Sequence, residues 1–150
     1  MEPVAAPFQY ILAPIDGSDT SVSVARTAIR IARALGAELC FLYVVDARGL
    51  KDMARFSGRD KEDVQRDLTA KGHSYLGYAG HLASLAGQEA ATALRVGVPQ
   101  EEITAEARER GADLIVIGRV GQRGPRRVMI GSVAERVIEY APCPVLVVQR

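Results

Sequence analysis

The segment YILAPIDGSDTSVSVARTAIRIARALGAELCFLYVVD, residues 10–46, decides the fold of this chain. It contains two apolar runs, 10–15 and 39–45, and the first of them ends at Asp16. Apolar runs without alternation are typical of parallel strands that are buried on both faces. Between the runs, apolar residues recur at intervals of three and four, and Gly36 stands where such a helix would end. The segment therefore predicts a strand–helix–strand unit with a right-handed crossover.

The rest of the chain continues this alternation of strands and helices. Further strands are predicted at 90–96, 114–117 and 144–148, and further helices over 60–86, from Pro99 to a stop at Gly111, and around Val133, Val137 and Ile138. Residues 47–60 show no clear period and predict a loop. The order predicts an α/β, Rossmann-like fold. We expect an open, doubly wound sheet of five mostly parallel strands in the order 3-2-1-4-5, with helices on both faces.

Three glycines interrupt the long helix predicted over 60–86, at Gly72, Gly77 and Gly80. Each glycine within a helix costs about 1 kcal/mol relative to alanine. We therefore expect packing to stabilise this helix, with close backbone contact as the reason for its small residues.

Length and composition restrict the class of protein. The chain has 150 residues, of which 48% are apolar and 25% charged, so we expect one globular domain over 1–150 and no extended disorder. Its net charge of +1 gives no general electrostatic argument for nucleic acid as a partner. No apolar stretch approaches the roughly 18 residues of a membrane span, so membrane insertion is not expected.

The two cysteines and the N-terminal residues bear on the compartment. Cys40 and Cys143 form no CxxC pair and no metal-ligand cluster with a histidine, so we interpret both as buried thiols. The first ten residues carry an acid where a signal peptide needs a basic region. Together these features predict a cytoplasmic protein with reduced thiols.

The segment GRVGQRGPRRVMIGS, residues 118–132, points to a ligand. Glycines directly after a strand let backbone N–H groups approach a ligand without a Cβ in between. The segment holds four arginines and no acid, and Gly131 and Ser132 open a helical pattern at its end. Because the N-terminus of a helix attracts anions, we predict that this segment binds an anion, most simply a phosphate chain.

The fold predicts where this anion site lies. In open α/β sheets, ligands bind beyond the carboxyl ends of the strands, at the point where the strand order reverses. In the order 3-2-1-4-5 that point lies between the first and fourth strands, which end at Asp16 and Gly118. Two separate features of the sequence therefore converge on one crevice.

Several familiar nucleotide-binding and catalytic motifs do not fit this sequence. A P-loop needs GxxxxGK[ST], but no lysine follows Lys71. The GxGxxG fingerprint of dinucleotide-binding folds is absent from 118–124, and the chain has no GxSxG or SxxK motif. His73 and His81 have no neighbouring acid or cysteine arranged for catalysis, which indicates ordinary helix residues.

One family pattern is met in full. The pattern G-x2-G-x9-G-[ST] matches Gly118, Gly121, Gly131 and Ser132, and the chain thereby resembles the ATP-binding subclass of the universal stress proteins. The resemblance extends over nearly the whole chain. It includes an opening strand with Pro14 and Asp16, VVDA at 44–47, VGVPQEEI at 96–103, ADLIVIG at 112–118 and GSVAERVIEYAPCPVLVV at 131–148.

The resemblance implies a division of roles within the crevice. Asp16 and Val44 would hold the adenosine end of the nucleotide, and Pro14 would line its pocket. Gly118 and Gly121 would let the loop approach the ribose and phosphates. The start of the last helix, at Gly131, Ser132 and Val133, would bind the phosphates.

The residue types allow alternatives to several of these roles. Arg119 and Arg123 are predicted phosphate contacts, because guanidinium groups suit phosphate oxygens, whereas Arg126 and Arg127 are better explained as solvated loop residues. Asp16 could instead only organise the turn before a helix, and Gly131 with Ser132 could only cap one.

The leading functional hypothesis is a regulatory protein that binds ATP, or ADP or AMP, and acts through its conformation or an unknown protein partner. Mg²⁺ could accompany the phosphates. The alternatives are an enzyme that hydrolyses ATP slowly and an interaction module that binds no nucleotide. The resemblance also implies a homodimer through the last strand, 144–148, since an exposed strand edge invites a partner.

Overall fold

The computed structural model describes residues 7–121 and 129–149, in which strands alternate with helices except that two helices follow β2. The strands are β1 (Tyr10–Pro14), β2 (Glu38–Asp46), β3 (Ala91–Gly97), β4 (Leu114–Gly118) and β5 (Val145–Val148). The helices are α1 (Asp19–Leu35), α2 (Ala47–Ser57), α3 (Lys61–Leu85), α4 (Pro99–Arg110) and α5 (Ser132–Tyr140).

The described strands form one sheet in the order β3-β2-β1-β4-β5, which confirms the predicted topology. Neighbouring strands are parallel throughout, with β1 paired to β2 from Tyr10↔Glu38 to Pro14↔Leu42. β1 pairs with β4 on its other side. The strand order therefore reverses between β1 and β4, and β3 and β5 form the two edges.

Side chains of the sheet alternate between two hydrophobic cores, as buried parallel strands require. Phe41 packs in the core that α1, α2 and α3 cover, and its neighbour Leu42 packs in the core under α4 and α5. Both side chains are fully buried. Helices on both faces of the sheet are therefore confirmed.

The prediction of a loop over 47–60 is wrong, because helix α2 occupies most of this segment. The Asp46 side chain caps its N-terminus by accepting a hydrogen bond from the Arg48 N–H at 3.0 Å. Gly58, with φ of 68°, ends the helix in the left-handed conformation. Leu50 is its one fully buried apolar residue, and the partly buried Ala47 and Ala54 lie three and four residues from it against the same core, so a helical spacing is present that the prediction missed.

Helix α3 confirms the expected close contact at only one of its three glycines. A Cβ placed on Gly72 would overlap the Tyr43 ring and lie 2.9 Å from Leu94 Cδ1. A Cβ on Gly77 or Gly80 would have nothing within 4 Å. Contact with β2 and β3 therefore explains Gly72, and the prediction is wrong for the other two glycines.

Helix α3 is the longest of the described helices, at 25 residues. Charged residues such as Lys61, Asp63, Arg66 and Lys71 lie along its first half. Neither α3 nor any other described helix is both long and apolar enough to cross a membrane.

Candidate functional site

The candidate site lies where β1 and β4 end side by side. One further bond, from the Ile15 N–H to the Leu42 carbonyl at 2.8 Å, keeps the chain after β1 against β2. Beyond it, the Asp16 carboxylate faces the loop that follows β4. A Cβ placed on Gly121 would lie only 2.8 Å from Asp16 Oδ2. The two predicted strand ends therefore meet at the carboxyl edge of the sheet.

The Asp16 carboxylate is built into the turn that precedes α1. Its Oδ1 accepts hydrogen bonds from the Ser18 N–H at 3.0 Å and from the Ser21 hydroxyl at 2.9 Å. The Asp16 N–H in turn donates to Ser21 Oγ at 2.9 Å. Ser18 is the N-cap residue of α1, but its side chain makes no capping bond. Asp16 therefore organises this turn. This structural role is compatible with ligand binding by the same carboxylate.

The turn after Asp16 requires a glycine. Gly17 has φ of 81°, a conformation that side chains with a Cβ disfavour. A Cβ at this position would also collide with the ring of Tyr75 from α3. Tyr75 in turn lies 5.9 Å from Tyr43, measured between ring centroids. In the sequence, the Asp16-Gly17 dipeptide indicated this tight turn. The contact of the turn with Tyr75 of α3 was not predicted.

The three motif glycines each face a different wall of the crevice. A Cβ on Gly118 would lie 2.9 Å from Thr20 Cγ2 at the start of α1. A Cβ on Gly131 would lie 3.3 Å from the Arg119 carbonyl oxygen. Together with the short distance between the Gly121 Cβ position and Asp16, these distances explain why each of the three positions is a glycine. Thr20 was not predicted as part of the site.

A backbone bond closes the base of the loop between β4 and α5. The Gly131 N–H donates to the Arg119 carbonyl at 2.7 Å, and the Arg119 N–H donates to the Val148 carbonyl of β5 at 2.9 Å. The Arg119 guanidinium donates to the Met129 carbonyl at 3.0 Å. The Gly131 N–H and the Arg119 side chain therefore join the two described ends of the loop.

Three of the four arginines of this loop are not placed. Arg123, the second predicted phosphate contact, lies outside the described residues, as do Arg126 and Arg127. Of the four, the structure places only Arg119, at the base of the loop.

Helix α5 directs its N-terminus at the crevice. Gly131 is its N-cap, and the Glu135 N–H makes the first intrahelical bond, to the Gly131 carbonyl at 2.9 Å. The N–H groups of Ser132, Val133 and Ala134 precede that bond and have no acceptor within the helix. They carry the partial positive charge of the helix end, which suits an anion. Ser132 itself is exposed to solvent.

Pro14 and Val44, two of the residues expected at the adenosine end, lie on the α4/α5 side of the sheet. Leu12 and Leu42 belong to the core beneath these helices, and strand alternation places Pro14 and Val44 on the same face. Pro14 pairs with Leu42 in the register of β1 and β2, so Val44 lies two residues further toward the carboxyl edge. Both side chains are half-buried, and Val44 packs against this core. They therefore share one face with the N-terminus of α5.

The cysteines and histidines do not contribute reactive groups to the crevice. Cys40 is fully buried, and burial raises the pKa of its thiol to about 11, so the thiol stays protonated at neutral pH. Cys143 is half-buried, and burial raises its pKa too. His73 and His81 are exposed on α3. Within the described residues, no group of histidine, cysteine and acidic side chains could hold a metal ion.

Comparison with known proteins identifies relatives over nearly the whole chain. The model of the universal stress protein family matches residues 7–149. Universal stress protein MJ0531 of Methanocaldococcus jannaschii is 39% identical over 147 residues, which cover 95% of this chain and 83% of that protein.

Solved structures share the fold. A universal stress protein in complex with cAMP has a TM-score of 0.71 and 26% identity, covering 95% of this chain and 98% of that one. The universal stress protein from Archaeoglobus fulgidus in complex with dAMP has a TM-score of 0.67 and 26% identity, covering 95% of this chain and 99% of that one. Together with the family match, these likenesses confirm the predicted resemblance: this chain belongs to the universal stress protein family.

Proposed function

We propose that this protein binds an adenine nucleotide, ATP or its products ADP and AMP, in the crevice between the ends of β1 and β4. One observation carries the proposal: the Asp16 carboxylate and the glycine loop meet there, with a Gly121 Cβ position 2.8 Å from Oδ2. Relatives that share the fold are solved with cAMP and with dAMP, which supports an adenine nucleotide as the ligand.

The adenosine end lies toward Asp16, Pro14 and Val44 in this proposal. A carboxylate repels phosphate but accepts hydrogen bonds from ribose hydroxyls or from the adenine amino group. Val44 offers half-buried apolar surface near the strand end, and Pro14 lies on the same face of the sheet. This end of the crevice therefore suits a nucleoside better than an anion.

The phosphates lie toward the N-terminus of α5. The N–H groups of Ser132 and Val133 have no intrahelical acceptor, and the Ser132 hydroxyl adds a further donor. Gly118 and Gly121 let the loop backbone approach the phosphate chain. Arg119 and Arg123 supply positive charge from the same loop. Mg²⁺ would be carried by phosphate oxygens together with water, as this ion commonly is.

A regulatory role fits this arrangement better than catalysis. Asp16 is engaged by the turn before α1, and in this proposal it also holds the nucleoside, so it is not assigned as a general base. We therefore propose that nucleotide occupancy sets the conformation of the protein or its affinity for a protein partner. Slow hydrolysis of ATP is the alternative, and sustained turnover above about 1 s⁻¹ would favour it.

We also propose a homodimer through β5. β5 is an edge strand, so one side of its backbone has no neighbour within the sheet. Leu146 on β5 is 38% exposed, and Ile138 and Tyr140 of α5 are also exposed. A two-fold contact between two copies would pair both edges and cover these apolar side chains.

Calorimetric titration with ATP, ADP and AMP tests the nucleotide proposal. We expect a dissociation constant in the micromolar range, which corresponds to about −8 kcal/mol. Mass spectrometry of small molecules released from denatured protein would show whether a nucleotide copurifies. No heat with any of the three nucleotides at millimolar concentration would contradict the proposal.

A further inference from the structure

We propose that Ser21 is a positioning residue for the nucleotide site, which it serves by fixing the orientation of the Asp16 carboxylate. This inference rests on the proposed function, because Asp16 matters to binding only if the crevice holds a nucleoside. Ser21 lies in the first turn of α1, outside the glycine motif.

The hydroxyl of Ser21 contacts Asp16 twice. It accepts a hydrogen bond from the Asp16 backbone N–H at 2.9 Å, and it donates one to Asp16 Oδ1 at 2.9 Å. A single hydroxyl thus joins the backbone and the side chain of the same residue. Rotation of the carboxylate away from Ser21 would break the second of these bonds.

A third bond completes the restraint on Asp16. The Ser18 N–H donates to the same oxygen, Oδ1, at 3.0 Å. Two donors therefore converge on Oδ1, which turns Oδ2 toward the loop that follows β4. A Cβ on Gly121 would lie 2.8 Å from Oδ2 but 4.0 Å from the carboxylate carbon. Oδ2 is thus the oxygen that faces the crevice.

The Ser21 hydroxyl serves Asp16 rather than the helix. At the N-cap of a helix, a serine side chain commonly accepts a hydrogen bond from a free backbone N–H of the first turn. In α1 the N-cap residue Ser18 makes no such side-chain bond, and Ser21 reaches back past it to Asp16. The helix therefore gains no cap from this hydroxyl, whereas a proposed ligand-binding carboxylate gains a fixed geometry.

A fixed carboxylate strengthens binding because less freedom is lost when the ligand arrives. A side chain at a binding site has to be held in its productive rotamer by the residues behind it. Ser21 provides that support in this site, and the oxygen it helps to orient, Oδ2, faces the crevice proposed for the nucleoside. Removing the hydroxyl would leave the Ser18 N–H bond to Oδ1 but take away two of the three hydrogen bonds described above, so the carboxylate would be held less firmly.

Substitution of Ser21 tests this inference through ATP affinity, measured by calorimetry or, for weak variants, by NMR titration. We expect Ser21→Ala to weaken binding about tenfold, as loss of a hydrogen bond to a charged group does. Ser21→Thr keeps the hydroxyl and should bind within about twofold of the wild type. Ser23→Ala is the matched control, since the Ser23 hydroxyl makes no hydrogen bond to the described residues.

A double-mutant cycle separates positioning from a general structural role. If Ser21 acts through Asp16, Ser21→Ala should have less than about a twofold effect on affinity once Asp16→Ala is present. An equal loss in both backgrounds would overturn the inference, as would an unchanged affinity in Ser21→Ala. A wild-type protein that binds no nucleotide would instead contradict the proposed function itself. The experiment therefore distinguishes failure of the inference about Ser21 from failure of the proposed function.

Discussion

Two glycines of helix α3 should respond in opposite directions to the same substitution. Gly72 and Gly77 both lie within the helix, five residues apart. Gly72 is buried against Tyr43 and Leu94, whereas Gly77 is exposed and has open space where a Cβ would lie. Replacing each with alanine adds one methyl group to the same helix, so the pair isolates the effect of the surroundings.

The magnitude follows from the distances. Carbon atoms in contact lie about 3.5–4.0 Å apart, so a methyl group 2.9 Å from Leu94 Cδ1 overlaps by at least ~0.6 Å, and the Tyr43 ring would be closer still. Overpacking of this kind costs about 1–3 kcal/mol. Alanine recovers up to about 1 kcal/mol of helix propensity at either position. We therefore expect Gly72→Ala to lower the free energy of unfolding by up to about 2 kcal/mol and Gly77→Ala to raise it by about 0.5–1 kcal/mol.

Urea unfolding followed by circular dichroism measures both changes, provided that the slope of the transition is unchanged. A difference of about 2 kcal/mol in the free energy of unfolding corresponds to roughly 4–8 °C in Tm for a chain of this size. If Gly72→Ala were as stable as Gly77→Ala, the packing of α3 on β2 and β3 described above would be wrong.

Two further changes test other parts of the structure. Arg95→Ala removes the guanidinium that pairs with Glu102 at 2.5 Å and with buried Glu106 at 3.4 Å. We expect the free energy of unfolding, measured in urea, to fall by about 1–3 kcal/mol. An unchanged free energy of unfolding would show that these ion pairs do not stabilise the fold. Exposed Arg66, which pairs with Asp63, is the matched control, since Arg66→Ala should change stability by less than about 0.5 kcal/mol. Leu146→Asp places a charge at the proposed β5 interface, and sedimentation should show a monomer in place of a dimer. A monomeric wild type would contradict the dimer proposal.

Much of the fold could be predicted because its core strands are continuous apolar runs. The runs that became β1, β2 and β4 are buried on both faces, and hydrophobicity alone marks such segments. Helix α2 could not be predicted in the same way. It is amphipathic and has no continuous apolar run: Leu50 is fully buried, and the small residues Ala47 and Ala54 pack beside it at a helical spacing that the prediction overlooked.

The candidate site could be predicted in part. The sequence predicted that Asp16 and the glycine loop would share one crevice, because parallel strands bring their carboxyl ends to one edge. The structure supports this placement through the close approach of Gly121 to Asp16. The contacts of Thr20 with Gly118 and of Tyr75 with Gly17 join segments far apart in the sequence, so no local pattern could indicate them.

Gly121 offers the most direct test of the proposal that backbone amides and a carboxylate at this edge hold an adenine nucleotide. A valine there would lie against Asp16 Oδ2 and fill the space between the loop and the carboxylate. ATP would be titrated calorimetrically into the wild type, Gly121→Val and the control Gly77→Ala. We predict micromolar binding by the wild type and the control, and affinity at least about tenfold weaker in Gly121→Val, with circular dichroism used to check that this variant remains folded. Equal ATP affinity in all three proteins would contradict the proposed site.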